Sequence, residues 1–140
     1  MTATSRSSTR LSPHRWAPPS APARAKRKTS TPPLPPVRRI ALSGGGPEDV
    51  VLGADGCIYT GIDTGEILRV DIDTEKVTAV LDTGGRPLGL HAGADGSLLV
   101  CDAERGLLHW PGPGHSVTVL VDTVDNEPLN FASNVVADPE

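Results

Sequence analysis

The 140-residue sequence is 37% hydrophobic but only 3% aromatic, and Gly 15 with Pro 14 make up about a fifth of it, which excludes a conventional core built on large rings. Its formal net charge of −4 describes neither end, because residues up to Arg39 carry roughly +9 and the remainder roughly −13. No apolar run approaches the ~20 residues that span a bilayer, and no apolar stretch of a signal peptide is present, so no membrane span is read and a cytoplasmic location is expected.

Taken in chain order, Met1 to Pro36 is rich in Ser, Thr, Pro, Ala and Arg. Proline removes backbone donors, and too few large apolar side chains are present to offset the entropy of ordering. Residues 1–36 are therefore expected to form a disordered basic tail with polyproline II character around Pro32 to Pro36. Three functional readings compete with that one. Arg24, Lys26, Arg27 and Lys28 could contact phosphate through charge alone, without a specific nucleic-acid partner. The acid-free, Arg-rich composition resembles a transit peptide, and Arg38-Arg39 a twin-arginine signal whose apolar run is replaced by Ser43-Gly44-Gly45-Gly46. Those glycines lack a following Gly-Lys-Ser/Thr, so a phosphate loop is rejected.

From Val37 the chain changes to short apolar runs punctuated by Gly, Asp and Pro. Strands are predicted at Val50–Leu52, Cys57–Thr60, Glu66–Val70 and Val77–Leu81, then again at Leu88–His91, Ser97–Cys101, Leu107–Trp110 and Val117–Val121. An ungapped shift of about 40 residues lays Pro47 on Pro87, Gly53-Ala54-Asp55-Gly56 on Gly93-Ala94-Asp95-Gly96, and Asp82-Thr83 on Asp122-Thr123. Asp-Gly is expected to supply the positive-φ positions of a tight hairpin turn. Four short antiparallel strands at that period are the signature of a propeller blade. Asn134-Val135-Val136 overlays Asp49-Val50-Val51, so a third copy is expected to start before Glu140. The organisation read is an incomplete propeller over 37–140, with blade 1 about 45–84, blade 2 about 85–126 and the start of blade 3 about 127–140.

Other candidates are bland. Cys57 and Cys101 lack CxxC spacing and read as reduced thiols. His91, His109 and His115 fall at unrelated points of the blade and make no metal triad, with His91 expected to be packed. Asp102 and Glu104 are expected in a turn on a solvated edge, and Trp110 between blades.

The segments Gly46-Pro47-Glu48-Asp49-Val50, Asp55 to Gly61, Gly85 to Leu90, Leu99 to Ala103 and Pro128-Leu129-Asn130-Phe131, in this order and spacing, resemble the amino-terminal part of strictosidine synthase-like proteins. That group is related to the regucalcin (senescence marker protein) and gluconolactonase family. The resemblance implies an all-β, six-bladed propeller whose central channel holds a divalent metal, often calcium. Lactonase members open sugar lactones with metal-activated water, whereas strictosidine synthases perform a condensation with a carboxylate and no metal. It also implies that Glu48 is the first-blade metal ligand. At the second contact the family reads Phe-x-Asn-Asn or Phe-x-Asn-Asp, and this chain reads Phe131-Ala132-Ser133-Asn134. Ser133 thus takes the place of the channel-facing asparagine, and strand alternation turns Asn134 away from the channel unless the strand slips or bulges, so Glu48, Ser133 and Asn134 are the metal-ligand candidates the resemblance implies. The remaining ligands and the catalytic residues of the family lie beyond Glu140, so no catalytic or cofactor-binding residue is assigned. Two readings stay open: the N-terminal part of a lactonase-like enzyme, inactive alone, or a non-catalytic propeller piece that binds or assembles with further blades.

Overall fold

The structure, a computed structural model, describes residues 32–138. The basic cluster and most of the expected tail lie outside these residues, and Pro32 to Pro36 carry no regular secondary structure. From Arg38 onward the chain forms one compact unit. That unit is all-β and is built from two four-stranded antiparallel sheets, the arrangement of propeller blades. The first sheet runs β1 (Val50–Leu52), β2 (Ile58–Gly61), β3 (Glu66–Val70) and β4 (Val77–Asp82) in sequential order. The second repeats that order with β5 (Pro87–Ala92), β6 (Leu98–Asp102), β7 (Gly106–Trp110) and β8 (Thr118–Val121). No helix among the described residues is long and apolar enough to cross a membrane.

The repeat extends to the hydrogen bonds. In the first copy the Gly56 amide donates to Gly53 O (3.0 Å), the Gly53 amide to Cys57 O (2.8 Å) and the Cys57 amide to Asp55 Oδ1 (3.1 Å). Forty residues on, Gly96, Gly93 and Ser97 make the same three bonds with Gly93 O, Ser97 O and Asp95 Oδ1. Of each Asp-Gly pair, however, only the glycine has positive φ, +77° at Gly56 and +88° at Gly96. The connection is a turn followed by one left-handed residue, not a two-residue turn with both centres left-handed. The β-bulge is also copied. It falls between Ile67 and Leu68 in the β3–β4 pairing and between Leu107 and Leu108 in the β7–β8 pairing.

The two sheets pack face to face. Tyr59, Ile67 and Cys57 from the first meet Leu90, Leu98, Val100, Leu108 and Trp110 from the second in one buried cluster. Register assigns these faces. Tyr59 pairs with Val51, while Leu90 pairs with Val100 and Val100 with Leu108, so each set lies on one side of its sheet. Trp110 is 2% exposed within this cluster, and its indole Nε1 donates to His115 O (3.1 Å). Inter-blade packing, expected for it from position in the repeat, is what the structure shows. His91 is half-buried on the opposite face of the second sheet, not packed into the core.

Two further features of the fold differ from the sequence reading. A short hairpin, β9 (Thr123–Val124) with β10 (Glu127–Pro128), follows the second sheet. Its two-residue loop, Asp125-Asn126, has φ of +52° and +66°, which these side chains tolerate and hairpin twist favours. Residues 132–138, where the third copy was expected to start, pair with no described strand. They do run beside the second sheet. A Cβ at Gly89 of β5 would collide with the Ser133 carbonyl oxygen and stand 2.8 Å from Asn134 Cα, so glycine is what admits this backbone.

Candidate functional site

The sequence-predicted residues Glu48, Ser133 and Asn134 converge. With Asp49, Leu88 and Phe131 they line a concavity of about 190 Å³ beside the start of β1 and β5. Asp49 builds it. Its Oδ1 accepts from the Val50 amide (2.8 Å) and its Oδ2 from the Leu90 amide (2.9 Å), tying β1 to β5. The Thr60 hydroxyl donates to Asp49 O (2.7 Å) and fixes the same residue from β2. Glu48, the preceding residue, is left with its side chain 58% exposed. Its Oε1 lies 3.4 Å from Arg86 Nη2, which also donates to Gly46 O (2.8 Å), while Arg86 Nη1 is buried without a partner.

Ser133 and Asn134 both border the concavity, although strand alternation turns Asn134 away. Alternation holds only for a paired, pleated strand, and this segment is unpaired. Phe131, at φ +62° and 73% exposed, bends the backbone just before it, and the Phe131 amide donates to Ala103 O (2.9 Å). Asn134 Nδ2 reaches Ser133 Oγ at 3.5 Å. Asp49, Leu88 and Phe131 were not singled out from sequence as site residues. The signal for Asp49 is its overlay on Gly89, since only one of the two copies carries a carboxylate at the inter-sheet contact.

The donor set fits calcium only in part. Calcium takes six to eight oxygens. Here Asp49 has both carboxylate oxygens committed to amides, leaving the Glu48 carboxylate beside a guanidinium, one hydroxyl and one amide. No group of three or more His, Cys, Asp or Glu able to hold a metal occurs among the described residues. These residues alone do not make a calcium site.

A second polar centre joins the sheets. Asp102, expected on a solvated edge, is fully buried. Its Oδ1 accepts from the amides of Arg86 (2.9 Å), Glu104 (2.9 Å) and Arg105 (3.1 Å), and its Oδ2 from the Thr83 hydroxyl (2.8 Å). Thr83, also fully buried, lies on the connection between the sheets. Arg105 Nη1 donates to Thr83 O, closing the link. The turn-forming role expected of Asp102 is present, but its solvation is not. Both of its oxygens accept bonds from within the fold, so this is a structural clasp.

A third cluster lies at the β1–β2 turn. Asp55 Oδ2 accepts from Arg69 Nε (2.7 Å) and the Tyr59 hydroxyl (3.2 Å). Desolvation raises the Asp55 carboxyl, but the Arg69 and Cys57 hydrogen bonds outweigh it and hold the group below the ordinary value. Desolvation pushes the Cys57 and Cys101 thiols up, away from the reactive thiolate, in keeping with two buried free cysteines.

Residues 34–70 match the family described as strictosidine synthase-like, N-terminal. The chain is 38% identical over 84 residues to Protein STRICTOSIDINE SYNTHASE-LIKE 6 of Arabidopsis thaliana, covering 56% of this chain and 23% of that protein. It is 37% identical over 98 residues to STRICTOSIDINE SYNTHASE-LIKE 7 of the same plant, covering 66% and 26% respectively. With the adipocyte plasma membrane-associated protein of Mus musculus it shares 27% identity over 104 residues, 64% of this chain and 25% of that one. The chain thus spans about a quarter of the length of the curated relatives it matches. With two four-stranded blade-like sheets and these matches, the chain is similar to the amino-terminal part of strictosidine synthase-like proteins.

Proposed function

We propose that residues 38–138 supply two blades, and one channel-facing carboxylate, to a propeller that acts on a small molecule of the lactone class. The observation that carries this reading is the convergence of Glu48 with Ser133 and Asn134 on one concavity at the inner strands. Residues 85 positions apart in sequence meet there because the unpaired 132–138 segment runs over Gly89 of β5, which lies beside β1. In this reading Glu48 would hold one position on a divalent cation, calcium, which, completed by oxygens from outside this site, would supply the activation of water. Ser133 and Asn134 offer neutral oxygens beside it, and Asp49 keeps Glu48 in place through β1 and β5. Arg86 Nη2 lies 3.4 Å from Glu48 Oε1 and orients that carboxylate.

Residues 1–140 alone are expected to show no turnover. A hard cation needs more oxygens than the concavity offers, and no described residue is placed as general base for a bound water. The check is hydrolysis of a sugar lactone by the purified chain with calcium present. The expected rate equals that of buffer with calcium. A higher rate that Glu48→Gln abolishes would show that the site is complete as it stands and overturn the partial-site reading.

The second reading, a non-catalytic assembly module, draws on the inter-sheet clasp of Asp102 and Thr83, which does purely structural work. Under that reading Glu48→Gln leaves calcium affinity unchanged as measured by titration calorimetry.

A further inference from the structure

Glu48 stands near the end of a run, residues 43–49, that belongs to no strand and leads into β1. Gly44-Gly45-Gly46 leave this run more backbone freedom than other residues would, so the placing of Glu48 depends on what holds the run at its two ends. Downstream, Asp49 Oδ2 ties it to β5 through the Leu90 amide (2.9 Å). Upstream, it is held by Asp63, on the turn between β2 and β3. The Gly45 amide donates to Asp63 Oδ1 (3.1 Å), and the Asp63 amide donates to Gly45 O (3.0 Å). A Cβ at Gly45 would stand 2.9 Å from Asp63 Oδ2, so glycine is what lets the carboxylate sit this close. From there Gly46 leads on to Glu48, with its carbonyl accepting from Arg86 Nη2 (2.8 Å) and its φ at +57°.

The Asp63 carboxylate is not needed by its own turn. That turn closes through the backbone, the Ile62 amide donating to Glu66 O (3.0 Å) and the Gly65 amide to Ile62 O (3.1 Å). Asp63 is also exposed, where a single hydrogen bond that water can replace adds little to global stability. The second copy offers a comparison within the same chain. Forty residues on, Asp63 is replaced by Ala103 and Glu48 by Leu88. The second copy holds its corresponding run instead by the buried Asp102, whose Oδ1 accepts from the Arg86 amide (2.9 Å), and the first copy has Ile62 in that place. The exposed carboxylate clasp therefore occurs in the copy that brings Glu48 to the concavity it shares with Ser133 and Asn134.

We propose that Asp63 is a positioning residue for Glu48, acting through Gly45. Asp63 is not among the residues that line the concavity, so its effect reaches a bound group only by way of the backbone it holds. The inference rests on the reading of Glu48 as a ligand of a divalent cation.

Titration of the isotope-labelled full chain with manganese(II), followed by nuclear magnetic resonance, tests it. Carboxylate and other oxygen ligands suit this ion, and its unpaired electrons broaden the amide signals near it. The wild type is expected to lose the signals of Glu48, Ser133 and Asn134 first, and Glu48→Gln to abolish that selectivity. Asp63→Ala is expected to weaken the apparent affinity about tenfold, as loss of a group that orients a metal ligand does, with its thermal midpoint unchanged. Asp63→Asn keeps an oxygen acceptor for the Gly45 amide and is expected to restore most of that affinity. Asp63→Asn as weak as Asp63→Ala overturns the inference, because the carboxylate then acts through its charge alone. So does Asp63→Ala binding as tightly as the wild type where Glu48→Gln does not bind, or a loss of affinity that goes with a lowered thermal midpoint in both Asp63 variants. Selective broadening that is absent from the wild type, or untouched by Glu48→Gln, overturns the reading of Glu48 itself and the inference with it.

Discussion

Asp102→Ala is expected to destabilise the fold by about 3–5 kcal/mol, the range in which loss of a buried polar network falls. The substitution removes the acceptor for three backbone amides and the Thr83 hydroxyl in a site with no exposure. Each donor left unsatisfied in a dry interior costs about 1–3 kcal/mol, reduced where water enters the space vacated. Since small domains have only about 5–15 kcal/mol in all, the variant is expected to lose a large fraction of its stability. Urea unfolding followed by circular dichroism measures the effect. Thr83→Val, which removes only the hydroxyl, should cost less, about 1–2 kcal/mol. An Asp102→Ala midpoint equal to wild type would mean that the carboxylate is solvated after all.

The second large effect is at Trp110. Its ring is 2% exposed and packs in the cluster shared by both sheets. Trp110→Ala is expected to cost about 3–5 kcal/mol through lost transfer energy and the cavity left behind. Trp110→Phe retains most of the ring and loses the bond to His115 O, so its cost is expected to be nearer 1–2 kcal/mol. Thermal unfolding of the three proteins gives that ranking directly. An alanine variant no worse than the phenylalanine variant would place Trp110 outside the interface.

Much of this was legible in the sequence because the repeat encodes it twice. Eight strands are visible as apolar runs between turn residues, and each prediction is supported by its partner forty residues away. What lies outside the repeat was not legible in that way. The Asp125-Asn126 hairpin has no counterpart in the first copy, although two adjacent residues tolerant of left-handed backbone were an available signal. The burial of Asp102 was hidden for a related reason. Its counterpart in the first copy is Ile62, also fully buried, and an aligned isoleucine argues for an interior position more strongly than the acidic side chain argues for a surface one. The candidate site was legible at Glu48 and Ser133 by resemblance. Asn134, which alternation turns away only in a regular strand, borders the concavity because its segment pairs with no described strand.

The central structural claim is that two copies of one four-stranded unit pack through equivalent, register-defined faces. The most direct test is a double-mutant cycle between Ile67→Val on β3 and Trp110→Phe on β7, with stability read from urea unfolding. These residues belong to different sheets and to one buried cluster. Side chains in contact couple by about 0.5–3 kcal/mol, whereas distant sites add to within about 0.3–0.5 kcal/mol. The packed-repeat account predicts coupling above that additive limit, and strict additivity of the two substitutions would contradict it.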